Sequence, residues 1–141
     1  NNQIILQNSK VGNSNIILVN QIVCKNKSII GSYNKITSKL PNSILLMEQS
    51  QISFKNSFYL SKKTIIGKNV VFGGMNSKIF YNKSSNKDTI FKENLFIGSN
   101  CIFLSGIKIE KNIIIGAGSV VLNNLVEPGL YYSKKLTKNE N

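Results

Sequence analysis

Apolar residues recur at every sixth position toward the C-terminal end of this 141-residue chain, at Ile97, Phe103, Ile109, Ile115 and Val121. A helix has no use for that period. At about 100° per residue successive members would drift around its surface, whereas short strands that each bury one residue and then turn keep them on one side. The N-terminal part repeats the pattern at Ile5, Val11, Ile17, Val23 and Ile29, expected to form one inward-facing set. Between 40 and 64 the phase stays open, because ILLMEQSQISFKNSFYL supports more than one register. The period predicts an all-β solenoid, a parallel β-helix whose turns each bury an apolar residue against the turns above and below.

The corners carry their own signals. Gly follows Ile in Ile30-Gly31, Ile66-Gly67, Ile97-Gly98 and Ile115-Gly116, which fits a position where a side chain would crowd or where φ is positive. Asn69 and Asn100 suit the left-handed backbone conformation at such corners.

One break interrupts the count. Ile66 and Phe72 keep the period, but Ile66 to Ile97 spans 31 residues, not a multiple of six. The chain is therefore expected to leave the solenoid after Phe72 and rejoin near Leu95, extruding a loop over about 74–94 that is polar from Asn82 to Asp88. A loop on a rigid stack is a usual place for binding or catalysis. The whole chain, 1–141, reads as a single domain with a C-terminal tail over about 126–141.

The formal net charge of +12 raises nucleic acid or an anionic surface as partners. All 18 basic residues are lysines, however, and they form no dense run with interleaved aromatics. Arginine is the residue suited to bidentate phosphate and base contacts, so the lysines read as a solvated surface and nucleic acid is not expected. No run of 18 apolar residues and no basic, then apolar, start are present, so neither a membrane span nor a signal peptide is read and a cytoplasmic location is expected. Cys24 and Cys101 lie far apart in apolar stretches and read as buried structural thiols. With no His and no CxxC, no metal site is expected.

The segment IGSNCIFLSGIKIEKNIIIGAGSVVLNNL, within residues 95–125, resembles the C-terminal signature of the hexapeptide-repeat acyltransferases, most of all the sugar and capsular-polysaccharide O-acetyltransferases. The resemblance implies a left-handed parallel β-helix with three hexapeptides per turn, assembled as a homotrimer with acyl-CoA in the groove between subunits. It implies acetyl-CoA as the acyl donor and a sugar hydroxyl, on a glycan or nucleotide sugar, as the acceptor in surface polysaccharide biosynthesis. Carried over by position, Gly116, Ala117, Gly118 and Ser119 would admit the pantetheine arm. Lys134 and Lys135, in a tail that lacks the family's Pro-Ala pair, would meet CoA phosphates as point charges.

The same resemblance identifies what is missing. The family's loop motif, S-D-x-H-x-I-[FY]-D, aligns with Gly74 to Tyr81 without a gap, so that Ser77 stands at the general-base His and Met75 at the Asp that orients it. A base with a pKa near 7 supplies roughly 100- to 10,000-fold in rate, and a Ser hydroxyl cannot take the acceptor's proton without a base of its own. No His exists anywhere in the chain, so a neighbouring copy could not lend one. Asp88 and Glu93 are the acids in the loop or its return, and each reads as a solvated surface group. Two functions follow: an O-acetyltransferase-family protein with weak or lost activity, or a catalytically inactive trimeric solenoid that binds or scaffolds.

Overall fold

The computed structural model describes residues 3–38, 42–133 and 138, and among them every regular element is a strand. In chain order the strands are β1 (Gln3–Leu6), β2 (Lys10–Val11), β3 (Ile16–Leu18), β4 (Gln21–Cys24), β5 (Ile29–Ile30), β6 (Lys35–Ser38), β7 (Ser43–Leu46), β8 (Gln51–Phe54), β9 (Ser57–Leu60) and β10 (Thr64–Ile66). They continue as β11 (Val70–Met75), β12 (Lys78–Phe80), β13 (Thr89–Phe91), β14 (Leu95–Ile97), β15 (Ile102–Leu104), β16 (Lys108–Ile109), β17 (Ile113–Ile115), β18 (Val120–Val121) and β19 (Gly129–Tyr131). Each strand pairs in parallel with those three places before and after it, up to β18. Sheet A is β1-β4-β7-β10-β13-β16, sheet B is β2-β5-β8-β11-β14-β17-β19, and sheet C is β3-β6-β9-β12-β15-β18. This is a β-solenoid of about six turns, the architecture of a left-handed parallel β-helix.

Successive side chains on a strand point to opposite faces, so each short strand sends one or two residues inward. The five C-terminal positions spaced by six are all buried: Ile97, Phe103, Ile109, Ile115 and Val121. Around the middle of the stack Phe58, Phe72, Phe91 and Phe103, from all three sheets, meet with centroids 5.0 to 6.0 Å apart in tilted and edge-to-face contacts. Such pairs add about 0.5–1.5 kcal/mol each beyond the area they bury.

The N-terminal count is corrected. Val11 and Ile17 lie on the inward columns under Ile30 and Ile36, but Ile5 stacks on Val23 in an outward column and Ile29 is exposed. The buried residues in that turn are Ile22, Cys24 and Ile30. One extra residue in the corner between β3 and β4 moves the phase for the positions that follow it, so Cys24 and Ile30 take the inward places expected of Val23 and Ile29.

The extruded segment is shorter than its expected 74–94. β12 and β13 lie inside that span, paired in register with their neighbours, and Ile79 and Phe91 are buried. The true excursion is 81–88, between β12 and β13. Turns here are unequal rather than uniform multiples of six. Equivalent corner residues are 18 apart at Asn94 and Asn112, 22 at Asn34 and Asn56, and 25 at Asn69 and Asn94. The excursion is held down by Asn82, whose side-chain amide donates to the Ser105 carbonyl at 3.2 Å and whose backbone N–H donates to the Ser61 hydroxyl at 2.8 Å. The expected tail is also partly structured, because β19 pairs with β17 in sheet B.

Candidate functional site at the corner between sheets B and C

Every residue that the family motif singles out, within the described residues, falls on one edge of the prism, where the chain turns from sheet B to sheet C. Each turn of that edge repeats a short pattern. A small polar or thiol residue is buried, one residue follows facing outward, and an apolar residue then enters the core: Asn34-Lys35-Ile36, Asn56-Ser57-Phe58, Ser77-Lys78-Ile79, Cys101-Ile102-Phe103 and Ser119-Val120-Val121. Just before the buried residue the backbone takes positive φ, at Tyr33, Lys55, Asn76, Asn100 and Gly118.

The buried column is a hydrogen-bond ladder that satisfies the corner's backbone, as buried polar groups require. The Asn34 N–H donates to Asn15 Oδ1 at 2.8 Å, the Asn56 N–H to Asn34 Oδ1 at 2.9 Å, the Ser77 N–H to Asn56 Oδ1 at 3.0 Å, and the Cys101 N–H to Ser77 Oγ at 3.2 Å. Ser77 is thus 1% exposed, and its hydroxyl donates in turn to the Gly98 carbonyl at 3.2 Å. Met75, two residues earlier, is exposed. The two positions taken as replacements for a catalytic pair therefore face opposite ways, and a side chain at 77 points into the stack rather than toward a ligand. Burial pushes the Cys101 thiol above its ordinary pKa, only partly offset by the Ser119 and Gly118 backbone and the Ser77 hydroxyl. It is a free, protonated packing group, as is Cys24.

Gly116 to Ser119 form the last complete turn of this edge, between β17 and β18. Ser119 is buried with its hydroxyl donating to the Gly116 carbonyl at 2.6 Å. Ala117 and Gly118 are exposed, and a Cβ built on Gly118 would meet nothing within 4 Å. Tyr131 to Ser133 run alongside, and between them and β18 lies a hollow of about 220 Å³ lined by residues including Ser119, Leu122, Leu125 and Tyr132. Its walls are aliphatic and aromatic with a few hydroxyl and amide groups. That lining suits a flexible, mostly apolar chain with occasional amides, and the residues present fit a pantetheine arm. Lys134 and Lys135 lie outside the described residues.

No carboxylate reaches this edge among the described residues. Asp88 is exposed in the 81–88 excursion between sheets C and A, and Glu93 sits on the edge between sheets A and B. The arrangement can hold a ligand. The Asn ladder was missed in the sequence, although its signal, a small polar residue two places before an inward apolar one, is written there five times.

The hexapeptide repeat of succinyl-transferase matches residues 93–123, which run from the corner before β14 through β18 and just beyond it. The chain is 31% identical over 113 residues to the bifunctional protein GlmU of Buchnera aphidicola subsp. Baizongia pistaciae, covering 80% of this chain and 23% of that protein. It is 28% identical over 139 residues to the GlmU of Wigglesworthia glossinidia brevipalpis, covering 88% and 30%, and 36% identical over 77 residues to that of Thermosipho melanesiensis. The chain spans about a quarter of the length of these curated relatives. Both comparisons support the hexapeptide-repeat acyltransferase family.

Proposed function

Taking the hexapeptide-repeat acyltransferases as its family, we propose that this chain binds acetyl-CoA beside Gly116–Ser119 and that its acetyl-transfer activity is weak or lost. One observation carries the reading. The hollow beside Ser119 has a mostly aliphatic and aromatic lining that suits an acyl-CoA arm, yet no carboxylate stands at that edge among the described residues. When bound, acetyl-CoA would supply the thioester. Ser119 and the backbone at Gly118 would orient the arm, and Leu122 and Tyr132 would exclude water from it. The acceptor, a sugar hydroxyl of a surface polysaccharide or its nucleotide-sugar precursor, would keep its proton. In that state the chain serves as a binding or scaffold protein, with a cytoplasmic location.

Assembly as a homotrimer would complete the groove. The outward column of sheet B, with Val71, Phe96, Ile114 and Leu130 stacked in register, is uncharged from β11 onward and flanks this edge. Packing through it would set the hollow at a subunit boundary.

Titration calorimetry of the full chain with acetyl-CoA tests the binding, and release of free thiol in the presence of candidate glycans tests the chemistry. The expected result is saturable binding, lost in Leu122→Trp, with thiol release near that of a boiled sample. Absence of binding would sink the reading. Robust turnover would mean that a base acts here which the geometry does not show. A light-scattering mass of three chains, reduced by Phe96→Glu, is the expected outcome for assembly.

A further inference from the structure

Winding the chain sorts charges that look scattered along it. Glu48, Glu93, Glu110 and Glu127 all fall in turns from sheet A to sheet B, interleaved there with Lys25, Lys68, Lys92 and Lys111. In a three-sided stack that edge is the one opposite sheet C. Sheet C itself carries Lys35 and Lys78 on its outer face, and the turns that leave it toward sheet A carry Lys62, Lys63, Lys83 and Lys87. All six are exposed, and Asp88 is the one acid beside them. The ion pairs among the described residues, Lys92–Glu110 at 3.1 Å and Lys108–Glu110 at 3.4 Å, involve neither the face nor these turns.

Apolar side chains share the same face. In register with Lys35 and Lys78 stand Ile16 and Val120, and in the next outward column Leu18, Tyr59 and Phe80. Each of these five apolar residues is at least 40% exposed. An apolar patch of this kind marks an interaction surface, and the uncompensated lysines set the sign of the partner. Two copies of this face would juxtapose lysines with no carboxylate between them, which like-charge repulsion opposes. A polyanion in water would leave the aliphatic residues unused.

We propose that sheet C, with its turns toward sheet A, lies flat on an anionic lipid bilayer, lysines at the headgroups and Ile16, Leu18, Tyr59 and Phe80 at the interface. Amphipathic surfaces with basic and apolar groups bind in this way, and each lysine near an anionic surface strengthens the attraction.

Co-sedimentation of the full chain with vesicles tests it. Phosphatidylcholine vesicles containing phosphatidylserine should pellet the protein, pure phosphatidylcholine should not, and rising salt should release it. Lys35→Glu with Lys78→Glu should lower the partition coefficient at least about tenfold, and Phe80→Ser severalfold, with thermal midpoints unchanged. Lys25→Glu with Lys68→Glu, the same charge change on the opposite edge, should leave it within about twofold, because that edge is distant from the bilayer by the width of the solenoid. Lys35→Gln with Lys78→Gln carries the same prediction with a smaller loss should reversal unsettle the fold. Failure to pellet with phosphatidylserine, or equal losses from both lysine pairs, would overturn the proposal. So would a sheet C variant that changes the solution mass but not lipid binding, since the face would then be a contact between copies or with another protein.

Discussion

At the scale of single residues, the interior distinguishes polar groups that are paired from those that are not. Thr64 and Thr89 stack directly on one another in sheet A, both fully buried. The Thr89 hydroxyl accepts from the Gly106 N–H at 2.7 Å and meets Ser105 Oγ at 3.1 Å, whereas Thr64 Oγ1 has no partner among the described residues. Thr64→Val should therefore stabilise by about 1 kcal/mol, and Thr89→Val, which orphans a backbone donor, should cost about 1–3 kcal/mol. Denaturant midpoints of the two variants check this. Cys24 gives a pH signature. Burial pushes its thiol up to about 11, partly offset by the Ser28 hydroxyl, so the unfolded chain ionises first as pH rises. Stability from this group is fully present below pH 9 and is lost as pH climbs toward 11, by about 2 kcal/mol. Cys24→Val should flatten that part of the pH–stability curve, measured against the parent protein.

At the scale of the element, the turns decide how closely one coil can lie on the next. A Cβ on Gly67 would sit 1.3 Å from the Lys92 carbonyl oxygen, with backbone on the far side and no flexible group to yield. Gly67→Ala should cost at least about 2 kcal/mol through forced separation of the coils. Gly118 is the opposite case, with open space around it but φ of +75°. Gly118→Ala should cost only about 1–2 kcal/mol, as left-handed strain, and thermal melts of the pair would separate crowding from strain. The sequence left that choice open at its Ile-Gly corners. At Gly31, Gly67 and Gly98 the reason is crowding by the backbone of the neighbouring coil, while six of the eleven non-glycine positive-φ residues among the described residues are asparagines, Asn69 and Asn100 among them, as expected for those two.

At the scale of the whole molecule, assembly in parallel sheets converts an uneven sequence into ordered faces. The lysines carry no signal along the chain because neighbours on a sheet C column are about 20 residues apart, as Lys35, Ser57 and Lys78 are. Stacked, they form one cationic face opposite one acid-bearing edge. The vesicle experiment belongs to this scale, as does the acetyl-CoA titration, because both depend on residues brought together from different coils.

The sequence by itself determined the class of fold, the inward set from Ile97 to Val121 and the small-residue corner at Gly116–Ser119, because each is set by local spacing and backbone sterics. Tertiary structure decided what spacing cannot. Turn lengths that vary from 18 to 25 residues set which coil each residue stacks on, and so moved Ile5 and Val23 outward and narrowed the excursion to 81–88. The same stacking made Ser77 a rung of a buried ladder. A motif aligned without gaps specifies the order of residues. Whether a side chain faces solvent or core depends on the coil above and the coil below.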